Sequence, residues 1–254
     1  MKRVTHQELL RIGGEPVRIK VRVNPRARRL IVKVHPSTGE VAVVAPSSRV
    51  VPRAIDFARS ERDWIAERLS RVPPLMPLEP GHFVPFRGRD HVIRHVPQAR
   101  GVVWLDAEAA RPTLRVTGQV EHVPRRIEDW LKKEARKELV RRVEVFATAL
   151  GVKPKRVNVR DSSSRWGSCS TTGTLSFSWR LILAPPFVLD YVAAHEVAHL
   201  KEMNHGPRFW RLVEHLVGDS ARSQDWLREH GSVLHRYGSA VDGRATRNGM
   251  GGEI

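Results

Sequence analysis

AAHEVAHLKEMNHGPRFW, residues 193–210, decides how this chain is read. His195 and His199 stand four apart with Glu196 between them, and a third histidine, His205, sits between Asn204 and Gly206. The surrounding Val188, Leu189, Val192, Ala193, Val197, Ala198, Leu200 and Met203 predict a helix buried on most sides. Positions i and i+4 of an α-helix lie about 40° apart around its axis, so His195 and His199 point the same way from successive turns. Two imidazoles so placed can bind one Zn2+ at about 2.0–2.1 Å. Glu196, roughly 60° around the helix from His199, reaches a water on such a metal without being forced to bind the metal itself. H-E-x-x-H is therefore the spacing of a metalloprotease, with two ligands and a general base on one face. Left unpaired in an apolar helix, these polar groups would cost roughly 1–3 kcal/mol each.

A catalytic zinc usually takes three protein ligands. His205 would lie about 240° around from His199 if the helix continued, so the helix must end before it. Asn204 and Gly206 both tolerate the left-handed conformation that closes a helix, and Pro207 suits the first turn of the next one. The expected site is thus His195, His199 and His205 on one Zn2+ per chain, with Glu196 acting at the open fourth position. Glu214 is the rival third ligand. It borders the stripe Phe209/Trp210–Val213–Leu216/Val217, from which it can face either a metal or solvent. His205 is preferred because the Asn-His-Gly break has no other evident purpose.

Outward from this helix the chain has two characters. Residues 1–122 are β-rich. VRIKVRV (17–23) alternates with period two, RLIVKVH continues, PSTGE turns and VAVVAP comes next, which predicts an antiparallel meander. Residues 52–72 read as one amphipathic helix. A proline cluster, PPLMPLEPG, is a possible linker ahead of strands near FVPFRGRDHVIRHV, GVVWLD and PTLRVTG. Residues 123–238 begin with a long helix from Pro124 to Gly151. They continue through a strand at RVNVRD, a loop at SSSRWGSCSTTG, a strand at TLSFSWRLILA, and helices. Residues 239–254 are Gly-rich and read as a disordered tail. No internal repeat is apparent.

Composition narrows the classes. The chain has 254 residues, 41% of them hydrophobic, enough for one large domain or two small ones. No run of 18 apolar residues predicts a membrane span, and the N-terminus lacks the continuous apolar segment of a secretory signal. The only cysteine, Cys169, rules out an internal disulfide and a multi-cysteine zinc ribbon. A cytoplasmic location is expected. The formal charge of +17 admits nucleic acid as a partner, although the basic residues are spread along the chain.

The motif H-E-x-x-H-L-x-x-x-N-H-x-x-x-F-W, His195 to Trp210, resembles the YgjP-like metallopeptidases, relatives of the SprT-type zincins. SRWGSCSTTGTLSFSWRLILAPPFVLDYVAAHE and RDWIAERL extend the resemblance over most of the chain, to about residue 235. One departure is visible: Phe177-Ser178-Trp179-Arg180-Leu181 stands where the family usually reads L-N-W-R-L, so a hydroxyl replaces an amide at Ser178. The resemblance implies a zincin-like catalytic half with a zinc-dependent peptidase site. It also implies an edge strand above the active-site helix that holds an extended substrate, for which Thr174, Ser176 and Ser178 are the candidates. Arg165 can stabilise an oxyanion, or form an ion pair while Trp166 packs in the core. Tyr191 can act as an electrophilic helper or pack the helix.

The expected protein is α+β, an N-terminal antiparallel β-rich region followed by a zincin-like catalytic domain with an HExxH helix. The expected function is a zinc metallopeptidase that hydrolyses peptide bonds through a zinc-activated water, with Glu196 as general base. The alternatives are a DNA-associated protease acting on nucleic-acid-bound proteins, and a nucleic-acid-binding module with a structural zinc.

Overall fold

The computed structural model describes residues 4–162 and 165–238. The tail read as disordered, 239–254, lies outside the described residues. Contacts divide the chain after Pro74, within the proline cluster, into units 1–74 and 75–254. The expected boundary at residue 122 does not coincide with this division. Residues 75–122 share one apolar core with the helical half of the second unit, because Val84, Phe86, Ile93, Leu114 and Val116 belong to the same buried cluster as Ile127 and Leu131.

In the first unit, strands β1 (Val4–Ile12), β2 (Glu15–Val23), β3 (Ile31–Val34) and β4 (Val41–Ala45) form a sheet in the order β1-β2-β4-β3. This is not the expected meander: β2 pairs with β4 in parallel, and β3 is displaced to the edge. The cause lies in VAVVA, where all five residues are buried. A strand apolar on both faces takes a central position, and alternation within its neighbours cannot reveal that. Ile19, Val21, Val41 and Val43 pack against Ala54, Ile55 and Ala58 of α1 (Val51–Ser60) and Ile65 of α2 (Arg62–Ser70). The single helix expected over 52–72 is divided at Glu61, whose ψ of 13° departs from helical geometry.

The second unit opens with the same strand order. Strands β5 (Phe83–Phe86), β6 (Arg89–His95), β7 (Val103–Asp106) and β8 (Thr113–Val116) run β5-β6-β8-β7, again with a parallel central pair. The repeat extends to register. Ile19, five residues after Gly14, pairs with Val41, and Ile93, five residues after Gly88, pairs with Leu114. Helix α3 (Val123–Leu150) then supplies the main wall of the core. Val123, Ile127, Leu131, Ala135, Leu139, Val143 and Ala147, every fourth residue, are all buried. Gly151 closes it in the left-handed region at φ 63°, as its position suggests.

Three strands and a turn lead to the site. β9 (Arg156–Arg160), β10 (Gly167–Cys169) and β11 (Thr174–Ser178) form a sheet in the order β10-β11-β9. β10 lies within the segment expected to be a loop. The strand expected over TLSFSWRLILA stops at Ser178 and becomes a 3-10 turn, Trp179–Leu183, all five residues buried. Helix α4 (Pro186–Ala198) comes next, then α5 (Pro207–Val217) and α6 (Ala221–Leu234).

Two features fix α4. The turn of the β5–β6 hairpin, Arg87-Gly88, donates N–H bonds to the carbonyls of Ile182 (2.8 Å) and Leu183 (3.1 Å), just ahead of the helix. Buried Arg142 of α3 pairs with Glu138 and donates from Nε to Asp190 Oδ1 of α4 at 2.7 Å. Burial alone would raise the Glu138 carboxyl, but Arg142, Arg87 and Arg141 bring it below its ordinary value.

Candidate metal centre

α4 is capped by Pro185, starts at Pro186 and carries apolar residues around most of its circumference, so it is buried on most sides and draws Glu196 fully and His195 partly into the interior. The helix ends earlier than expected. Ala198 is its last residue, and His199 caps it in the right-handed region (φ −63°, ψ −17°). Neither Asn204 nor Gly206 adopts the left-handed conformation: among the described residues Arg87 alone has positive φ outside glycine, and Gly206 has φ −82°. The chain turns instead through Leu200 and Lys201, whose N–H groups return to Val197 and Ala198 at 3.0 Å each. Gly206 then serves as the N-terminal cap of α5. The break needed to bring His205 back is present, made by right-handed turn geometry.

His195, His199 and His205 converge. One ligand nitrogen from each lies within 4.8 Å of the others, and Nε2 of His195 and His205 are 3.1 Å apart. Two nitrogens each about 2.0–2.1 Å from a tetrahedral metal would be separated by about 3.3 Å. The donor set therefore fits one ion with little movement, and three imidazoles suit zinc. His199 Nδ1 faces the Glu202 carbonyl at 3.0 Å, which leaves Nε2 for the metal. His195 Nδ1 is buried without a partner among the described residues. Burial, then His199 and His205, push the His195 pKa down to about 4. It is thus neutral near pH 7, the form that binds a metal.

Phe209, fully buried at the start of α5, is the floor of the cluster. It stacks on His199 (centroids 4.5 Å, 28°) and meets His195 and His205 edge-on at 4.8 Å. Helical spacing places Phe209 only in a core stripe and gives no sign of this second role. Glu214, the rival ligand, is exposed on α5 and stands outside the histidine group.

Glu196 is 6% exposed, and burial pushes its pKa up to about 7 against the opposing charge of Arg165. Its carboxylate lies against the backbone of β10. A Cβ built on Gly167 would stand 2.6 Å from Glu196 Cγ and 2.8 Å from Cδ, so no larger residue fits there without displacing the carboxylate. Nothing in the spacing of RWGSC announces this contact. Burial, then the Glu196 charge, also raises the pKa of Tyr191 and of Cys169.

Tyr191 is buried and meets His195 edge-on at 5.8 Å. Arg165 is exposed and forms no ion pair among the described residues, while Trp166 stacks on His235 at 4.5 Å. Thr174, Ser176 and Ser178 are not on an edge, because β11 is paired by β9 on one side and β10 on the other. The side of β10 away from β11 is unpaired among the described strands. Ser178 has a different task. Its Oγ accepts from the Arg180 N–H at 3.4 Å, capping the 3-10 turn, which a hydroxyl can do as an amide would.

A family described as YgjP-like, metallopeptidase domain, matches residues 28–230. No curated protein matches the chain. Among solved structures, the metallopeptidase zymogen abylysin of Pyrococcus abyssi is similar at 22% identity and a TM-score of 0.33, over 37% of this chain and 94% of that one.

Proposed function

The chain belongs to the YgjP-like metallopeptidase family, and from that premise we propose that it is a zinc-dependent peptidase whose metal is held by His195, His199 and His205 and whose general base is Glu196. The observation that carries this reading is the convergence of three imidazole nitrogens beside a buried carboxylate. Zinc in such a triad supplies a Lewis acid that lowers the pKa of water and polarises a carbonyl. Glu196 takes a proton from the attacking water onto its carboxylate and delivers it to the departing amide nitrogen. A carboxyl held near neutrality can do both. Tyr191 and Phe209 hold the His195 and His199 rings in place. An extended substrate adds to the free side of β10, at Gly167–Cys169, by main-chain hydrogen bonds. A purely structural zinc is disfavoured, since it would call for a fourth protein ligand and gives no reason to bury Glu196 beside the cluster.

The test is metal removal and return. Dialysis against a chelator is expected to abolish cleavage of an unstructured peptide mixture, and about one equivalent of zinc to restore it. Cleavage that persists in the chelated protein, or that never appears with zinc bound, would refute the reading.

Gly167→Ala provides a sharper expectation. The added methyl displaces the Glu196 carboxylate while leaving the histidines untouched, and misplacement by about 1 Å costs roughly 100-fold in rate. Zinc content and unfolding midpoint should stay near wild type while kcat falls. A variant with unchanged kcat would mean that the carboxylate does not need its seat against β10.

A further inference from the structure

A cavity of about 190 Å3 opens beside Gly167, lined by Arg160, Ser162, Arg165, Ser168, Ser176 and Phe177. Among the described residues its lining includes two arginines and three serines and no acidic residue. Neither Arg160 nor Arg165 forms an ion pair among the described residues. The nearest acid in sequence, Asp161, is already engaged by Arg180. Arg165 also acts on the Glu196 carboxyl, which lies beyond Gly167 and outside the lining, so both arginines remain free to meet an incoming anion, and a guanidinium matches a carboxylate through paired N–H groups.

Position gives the cavity its meaning. Ser168 and Ser176 pair across β10 and β11, while Leu175 and Phe177 of β11 enter the core. Gly167 belongs both to the cavity wall and to the seat of Glu196. A peptide laid along the free side of β10 projects successive side chains to opposite faces. Those on the face of Ser168 pass the two arginines.

We propose that this cavity is a specificity pocket that receives an acidic side chain, Asp or Glu, of the peptide substrate close to the bond that is cut. The proposal rests on the peptidase reading for the word substrate, but the pocket can be tested by binding alone. Arg160, at the end of β9, is the specificity-determining residue, since it takes no part in holding the metal or moving the proton. Arg165 adds its charge from the other wall.

The experiment uses the full-length Glu196→Gln protein supplied with zinc, which can bind without turnover. Its probes are neutral-dye-labelled peptides identical except that one Gln becomes Glu at successive positions. One position is expected to bind at least about tenfold tighter as Glu than as Gln, as a hydrogen-bonded charge pair provides. The gain should shrink with salt and vanish in Arg160→Gln, while the Gln peptide binds both proteins alike. Equal binding of Glu and Gln peptides throughout, or a preference that survives Arg160→Gln, overturns the pocket. A preference found only when the peptide ends in a free carboxylate, and lost on amidation, overturns the side-chain assignment in favour of a chain terminus. If the preference appears but the wild-type protein with zinc cleaves none of these peptides, the pocket stands and the peptidase reading falls.

Discussion

With His205 replaced by Ala, the protein no longer retains zinc through gel filtration, and hydrolysis disappears with the metal. The expected loss of affinity exceeds about 100-fold, the upper end of what removing a group that merely supports a ligand costs. His205 stands on the irregular stretch between α4 and α5, outside either helix, and its Nε2 faces that of His195 at 3.1 Å. Without it, two imidazoles remain on one side of the site, and the pair is too few to hold a catalytic ion. Glu214→Ala is the matched control. Glu214 is exposed and apart from the cluster, so this variant should keep its zinc. Zinc measured per chain in the two proteins decides the matter: retention in His205→Ala with loss in Glu214→Ala would replace the ligand set.

Glu196→Gln should behave in the opposite way, keeping the metal and the fold while hydrolysis falls by about 10²–10⁴-fold. Gln fills the same space against Gly167 but cannot accept the proton of an attacking water. A drop in kcat with little change in KM is the signature of a group that acts only as the reaction proceeds. Loss of zinc from this variant would instead make Glu196 a ligand.

Much of the site is legible in residue spacing, because helical geometry is local. The two histidines four apart, the need for a break before His205 and the every-fourth-residue stripe of α3 all depend on neighbours within a few turns. The features that spacing misses depend on distant partners. Alternation marks the faces of β2, but neither it nor the unbroken apolar run of β4 says which strand lies beside which, so the order suggests a meander where the sheet has a parallel pair. Thr174, Ser176 and Ser178 make a convincing strand, yet only the pairing with β9 and β10 places it in the middle of its sheet. The short β10 carries Gly and Ser, residues that suggest a loop until a carboxylate is found packed against them. Asn204 and Gly206 permit a left-handed turn, and the chain closes α4 without one. Permission is a weaker signal than requirement.

The two hairpins with matching register differ in what surrounds their tips. Gly14 has open space around it, and the nearest neighbour of a Cβ at Gly13 would be Ala66 at 3.9 Å. At the other tip a Cβ on Gly88 would stand 2.8 Å from Pro185, and the flanking N–H groups hold the carbonyls before α4. The same bend is therefore a free end in one place and a fastening in the other. For anyone wishing to splice in an epitope or a fluorophore, residues 13 and 14 offer a port with no tightly packed neighbour to displace. An insertion between Arg87 and Gly88 would unhook the helix that bears His195 and Glu196.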